Sequence, residues 1–174
     1  MTRDELAKHI YDVAHITGEF TLRSGIVSNE YFDKYQFESD PTLLVAIAEK
    51  MSEFIPEGTE MLAGLEMGGI SIAAALSIKT GIPCVFVRKS AKEYGTCKLA
   101  EGPNVQGKQV LVVEDVVTSG GQILLSAADL RSLGASITHC VCVIDREQGG
   151  REKLRADGLE LLSLYSMTEL KAHA

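Results

Sequence analysis

The sequence predicts an α/β protein built on a mostly parallel central sheet flanked by helices. Three observations carry that prediction. From residue 61 onward, short and near-continuous runs of Val, Ile and Leu alternate with helix-patterned segments, and strands buried on both faces read as unbroken apolar runs. Glycines close the helical segments, as at Gly81 and Gly134, where a left-handed residue ends a helix without a Cβ penalty. The chain has 174 residues, enough for one domain with its own core.

Taken in order, Thr2 and Glu5 have the spacing of a capping box, and Leu6, Ile10 and Val13 recur on one face of a first helix to about residue 16. A polar and aromatic segment follows, GEFTLRSGIVSNEYFDKYQFES, with turn residues at Gly18, Ser24-Gly25 and Ser28-Asn29. Asp40-Pro41 supplies a cap and an N1 proline for a helix carrying Leu43, Leu44, Ile47, Met51 and Phe54, which Pro56 and Gly58 end. Then come the strand MLAGL, the turn EMGG, the helix ISIAAALSIKT and the strand IPCVFV. After a long polar stretch, VLVVED is a strand, VVTSGG a loop and QILLSAADLRSL a helix. SITHCVCVI is the next strand, DREQGG a loop, REKLRAD a short helix and LELLSLY a last strand. Ser166 and Glu169 cap a short terminal helix.

Composition narrows the class. Lys and Arg total 17 against 24 Asp and Glu, a net charge of −7, with no Trp and 6% aromatic residues. That balance argues against a nucleic-acid binder. Apolar runs fall short of the roughly 18 residues a membrane span needs. MTRDELAKHIYD carries acids where a signal peptide carries a basic stretch, so the expectation is a cytoplasmic protein that binds neither nucleic acid nor membrane. Of the four cysteines, Cys84, Cys140 and Cys142 fall in strand-like runs as small hydrophobes, and Cys97 falls in a polar loop as a bystander thiol. None forms a C-x-x-C pair, and no His cluster has metal-ligand spacing.

Ligands of such sheets bind at the carboxyl ends of strands, which selects residues 65–70, 88–102, 114–122 and 145–150. The most informative segment is VLVVEDVVTSGGQ, residues 110–122. A buried strand delivers Glu114 and Asp115 to its end, and Thr118, Ser119, Gly120 and Gly121 then open a helix. Backbone N–H groups of such a loop, with a helix N-terminus behind them, cradle a phosphate. Paired carboxylates beside that cradle accept hydrogen bonds from vicinal hydroxyls, so the chemistry points to a sugar phosphate.

This stretch resembles the phosphoribosyl-diphosphate (PRPP) motif of the type I phosphoribosyltransferases. The resemblance implies that Glu114 and Asp115 contact the ribose hydroxyls, that Thr118, Ser119, Gly120, Gly121 and Gln122 form the 5′-phosphate loop, and that Val116 and Val117 also contact PRPP. A second segment, RKSAKEYGTCKLAEG, sets Arg88, Lys89, Lys92 and Lys98 against Glu93, a local basic loop suited to a polyanion. Its R-K-x-x-K-x-[aromatic]-G pattern is similar to the mobile loop of the orotate phosphoribosyltransferases. That likeness implies diphosphate contacts from Arg88, Lys89 and Lys92, with Lys92 catalytic beside Glu114 and Asp115. Tyr94, also assigned to PRPP, stands where members often carry His, so it can donate a hydrogen bond but adds no charge at neutral pH. Gly68-Gly69, in GLEMGGISIAAALS, looks like the family's diphosphate loop.

The base would be held by two more segments. GEFTLRSGIVSNEYFD is similar to the family's base-covering hood, with Arg23 as a cation near the orotate carboxylate; IDREQGG offers Arg146, and Thr118 completes the orotate set. The resemblance thus implies residues 1–38 as an N-terminal helix and hood, and 39–174 as one PRPP-binding α/β core. It further implies Mg²⁺, held mainly by PRPP and water, and a homodimer sharing the 88–102 loop between subunits. Physics alone leaves the acceptor base open to a purine or another pyrimidine. A third reading, a PRPP-sensing regulator that binds nucleic acid, sits poorly with the net charge of −7.

Overall fold

In the computed structural model, which describes residues 1–21, 25–90 and 98–173, two sheets and seven α-helices are formed among those residues. Helix α1 (Arg3–Ala14) leads into a hairpin of β1 (His15–Thr21) and β2 (Val27–Phe32), paired antiparallel. Helix α2 (Tyr35–Glu38) is a single turn, and α3 (Pro41–Met51) follows, its first turn capped by the Asp40 carboxylate on Thr42 N and Leu43 N. The remaining elements are β3 (Met61–Leu65), α4 (Gly68–Thr80), β4 (Cys84–Val87), β5 (Ala100–Glu101) and β6 (Val110–Val117). The chain then runs through α5 (Gly121–Ser132), β7 (His139–Asp145), α6 (Gly150–Ala156), β8 (Glu160–Ser166) and α7 (Met167–Ala172).

The main sheet has the order β5-β4-β3-β6-β7-β8, and every pairing is parallel except that of the short edge strand β5 with β4. The predicted α/β class and parallel sheet are therefore observed. Two elements lie where the sequence shows no strand period. The hairpin β1–β2 has only Ile16, Phe20, Val27, Tyr31 and Phe32 as large apolar residues and no strict alternation. The edge strand β5 is two residues long, too short to carry a period.

Strand period 2 divides the core into two layers. On one face Leu62, Leu111, Val113, Val141 and Val143 pack with Leu6 and Ile10 of α1, Ile47 of α3 and Ile72 and Leu76 of α4. On the other, Ala63, Val110, Val112, Cys140 and Cys142 pack with Ile123, Ala127 and Leu130 of α5 and Leu154 of α6. Cys140 and Cys142 are buried as expected, and Cys84 is half-buried. Burial pushes the Cys140 thiol up to about 12, so it behaves as a small hydrophobe.

This layering locates the crevice. From the central pair β3 and β6 the chain leaves in opposite directions, to α4 on one face and α5 on the other. Such a switch point opens a cleft at the carboxyl ends of the two strands. The C-terminal segment is tied back onto α1: the Tyr165 hydroxyl donates to Arg3 O at 2.6 Å, and the Arg3 guanidinium lies 4.6 Å from the Tyr165 ring centre. Leu111, 1% exposed near the start of β6, should respond as a fully packed core residue. Leu111→Ala is expected to cost about 2–5 kcal/mol, read from the denaturant midpoint at unchanged slope.

Candidate active site

Strand β6 carries the centre of the site. Its apolar residues bury it in the sheet, so Glu114 and Asp115 near its carboxyl end are withdrawn from water; Asp115 is 1% exposed. The Asp115 carboxylate accepts from the Lys34 ammonium and from Val116 N, while Glu114 Oε1 accepts from Asp115 N at 3.0 Å. Burial and the neighbouring Asp115 charge push the Glu114 carboxyl well above its ordinary range. The segment after β3 lies directly across: a Cβ on Gly68 would fall 1.6 Å from Asp115 Oδ2, and one on Gly69 2.4 Å from Val113 O. Both glycines are thus demanded by the packing of α4 on β6, a reason distinct from the anion approach suggested by the sequence. The Glu66–Met67 peptide preceding them is cis.

The loop after β6 is shaped by backbone. Gly120 takes φ +70 at the N-cap of α5, and no side chain caps that helix. Nor does one cap α4. By contrast α1, α3 and α7 are capped by Thr2, Asp40 and Ser166. The first-turn donors of α4 and α5 at the crevice therefore have no capping side chain, as is also true of α2 and α6; such donors can hold an anion. Gly150 lets α6 press on this loop, since a Cβ there would meet Thr118 O at 2.5 Å. Val117 is buried, so it can serve a ligand only through its backbone, and Val117 O already accepts from Arg146 N at 2.9 Å.

That bond brings the loop after β7 alongside the loop after β6. Arg146 and Thr118 line one cavity of about 840 Å³, together with Tyr31, Phe32 and Lys34 of the N-terminal region and Lys171 of α7. Its volume suits a small-molecule site. The Arg146 loop is braced from below. Buried Asp145 accepts from Glu147 N at 2.9 Å and Arg151 Nε at 3.1 Å, and Arg151 also donates to Leu161 O and Ser163 Oγ. Glu147, at φ 57, accepts from Thr168 N and Oγ1 of α7.

On the other side of the crevice, Glu66 Oε1 accepts from Lys89 N at 2.9 Å, and Arg88 Nε approaches Glu101 Oε1 at 3.3 Å across the β4–β5 pair. The stem of the basic loop is thereby fixed beside the acid pair. Arg23, Lys92, Tyr94 and Cys97 lie outside the described residues. The remaining sequence-selected positions are gathered at one carboxyl edge of the sheet, by β3, β4, β6 and β7.

Lys34, Glu38 and the Asp145–Arg151 brace are not marked by any sequence motif, whereas Tyr31 and Phe32 fall within the expected hood segment. A faint signal existed for the first two, a cation and an acid four residues apart before the α3 cap. Nothing local says that they face a strand about eighty residues away.

A phosphoribosyl transferase domain model matches residues 36–161. An orotate phosphoribosyltransferase of Nocardioides is 50% identical over 99% of this chain and 97% of its own length. One from Methanocella arvoryzae is 48% identical over 88% of this chain and 87% of its own. The chain belongs to the orotate phosphoribosyltransferases. Solved structures agree with this family: the Mycobacterium tuberculosis orotate phosphoribosyltransferase, in complex with Fe(III) dicitrate, superimposes with a TM-score of 0.88 at 31% identity, covering 97% of this chain and 98% of the other. The same enzyme in complex with PRPP gives 0.83 at 28% identity, with the same two shares.

For this phosphoribosyltransferase the contact at Gly68 is sharply testable. Gly68→Ala drives a methyl group into Asp115. It is expected to lower the affinity for PRPP by about a hundredfold and to lower the melting temperature. Calorimetric titration and thermal denaturation of the variant measure the two effects.

Proposed function

We propose that this chain transfers the ribose 5-phosphate group of PRPP to N1 of orotate, giving orotidine 5′-monophosphate and diphosphate for UMP synthesis. The observation that supports this most is the convergence at one crevice of an acid pair with Asp115 buried and Glu114 half-buried, an uncapped helix end and a cavity bearing Arg146 and Thr118. Each suits a different part of the two substrates: ribose hydroxyls, 5′-phosphate, and the anionic pyrimidine. The PRPP complex of the Mycobacterium tuberculosis relative supports the sugar-phosphate assignment.

Glu114 and Asp115 hold the ribose, residues 118–122 hold its 5′-phosphate, and Val116 and Val117 lie alongside PRPP. Arg88, Lys89, Lys92 and Tyr94 take the diphosphate beside the Gly68-Gly69 turn. Arg23, Thr118 and Arg146 orient orotate under the hood. The C1′–oxygen bond to diphosphate breaks, its electron pair leaving with diphosphate, and the C1′–N1 bond forms as the N1 proton passes to water. Positive charge builds on the sugar before the new bond is complete, so catalysis rests on positioning and on electrostatic neutralisation of the leaving group by Lys92.

No three His, Cys, Asp or Glu side chains converge at metal-ligand spacing among the described residues. The chemistry of the substrates instead suits Mg²⁺ held by diphosphate oxygens, ribose hydroxyls and water, where it would screen the diphosphate charge. No helix is long and apolar enough to cross a membrane among the described residues. We place the enzyme in the cytoplasm as a homodimer whose 88–102 loop completes the neighbouring site, with residues 1–38 serving as hood and 39–174 as core.

With PRPP, Mg²⁺ and orotate, the protein is expected to deplete orotate absorbance, and chelation by EDTA to stop the reaction. A spectral change only on adding a purine would reassign the acceptor. Lys92→Ala is expected to lower kcat about a hundredfold or more with an unchanged melting temperature; parental turnover would remove Lys92 from the mechanism. Arg146→Ala is expected to raise KM for orotate roughly tenfold to a hundredfold, with a much smaller change for PRPP. Equal losses would count against an orotate contact.

A further inference from the structure

Behind Asp115 lies a group that the reaction described above does not use. Glu38, from the single turn α2, is 7% exposed, and its buried Oε1 meets no hydrogen-bond donor among the described residues. It faces the same spot as Asp115: the Cβ position of Gly68 is 2.7 Å from Glu38 Oε1 and 1.6 Å from Asp115 Oδ2. Lys34, one turn earlier in the chain, places its ammonium on the same Asp115 oxygen, Oδ2. Three carboxyls (Glu38, Glu114 and Asp115) thus share one ammonium in a place largely closed to water. Charges so confined cannot all be ionised. An orphan carboxyl oxygen facing a carboxylate is satisfied when a proton lies between them.

We propose that Lys34 and Glu38 are positioning residues for Asp115: Lys34 keeps Asp115 an anion, and Glu38 backs it as a neutral carboxylic acid that donates a hydrogen bond. Asp115 is thereby fixed with its remaining acceptor capacity turned to the ribose hydroxyls. The inference rests on the PRPP reading above and extends it to two residues outside the acid pair and the phosphate loop.

The electrostatics agree with that assignment. Burial, then the charge and hydrogen bond of Asp115, push the Glu38 carboxyl up to about 8 against the opposing pull of Lys34, with Asp33 adding to the rise. Burial works against the Lys34 ammonium, yet Asp115, Glu114 and Glu38 outweigh it and raise its pKa. The charged groups facing Glu38 are thus Asp33 and Lys34 just before α2 and Asp115 on β6, while α4 presents the Gly68 backbone. Ionisation of Glu38 near pH 8 adds a negative charge beside a site for a polyanion. PRPP affinity should therefore be full below that pH and fall above it.

The test is calorimetric titration of the full chain with PRPP and Mg²⁺ between pH 7 and pH 9.5, without orotate. Parent affinity is expected to weaken by roughly tenfold across that range, and Glu38→Gln, which stays neutral, to abolish most of the decline. Lys34→Met is expected to weaken PRPP binding by about tenfold or more at pH 7, with partial recovery in Lys34→Arg. A decline as steep in Glu38→Gln as in the parent overturns the proposal. So does a Lys34→Met protein that binds PRPP normally and loses only orotate affinity. If Lys34→Met does not fold, the pH profile of Glu38→Gln decides alone. A parent that binds no PRPP at all overturns the proposed function itself, an outcome distinct from a parent that binds with an unchanged variant profile.

Discussion

The structure depends on carrying two acids toward the carboxyl end of a central strand of its sheet and keeping them useful there. Glu114 and Asp115 follow four consecutive apolar residues of β6, and the same sheet burial that stabilises the fold strips them of water. A carboxylate in that position needs a counter-charge or a proton. Lys34 supplies the first to Asp115, and the elevated Glu114 and Glu38 carboxyls accommodate the second. The N-terminal region is thus electrostatically part of the site. Tight approach of α4 completes the enclosure, which is why a glycine sits at position 68.

Around this centre, chain topology distributes the other functions. Opposite departures from β3 and β6 create the crevice, and the loops that enter it differ in how they are held. The loop after β7 is locked from beneath by Asp145 and Arg151 and from the side by Glu147 on Thr168. The loop after β6 relies on glycine, with Gly120 in a left-handed conformation and Gly150 allowing α6 to close on it. Rigid support of this kind suits chemistry in which correct placement supplies much of the rate.

How much of this was legible in the sequence follows the range of the interactions. The unbroken apolar run of β6 and the acids ending it are contiguous, so strand, acids and loop are read together. The capping pairs Thr2–Glu5 and Ser166–Glu169 are equally local, and both boxes form. Legibility fails at the hairpin β1–β2, where five apolar residues without alternation carry no strand period. It fails also at β5, whose two residues pair only because Phe86 and Val87 lie beside them.

Taken by itself, the sequence determined the fold class, the strand ends at which chemistry would gather and the identity of the acid and glycine motif. These are properties of runs and short spacings, set by solvent exclusion and backbone conformation within a few residues. Tertiary structure alone decided that Lys34 pairs with Asp115, that Glu38 is buried close to it, and that Gly68 is a packing requirement. Asp115 and Lys34 are 81 residues apart in the chain, and no local pattern encodes such a pair. Their meeting results from a sheet that buries the acid and a helical turn that returns a cation to the same closed space.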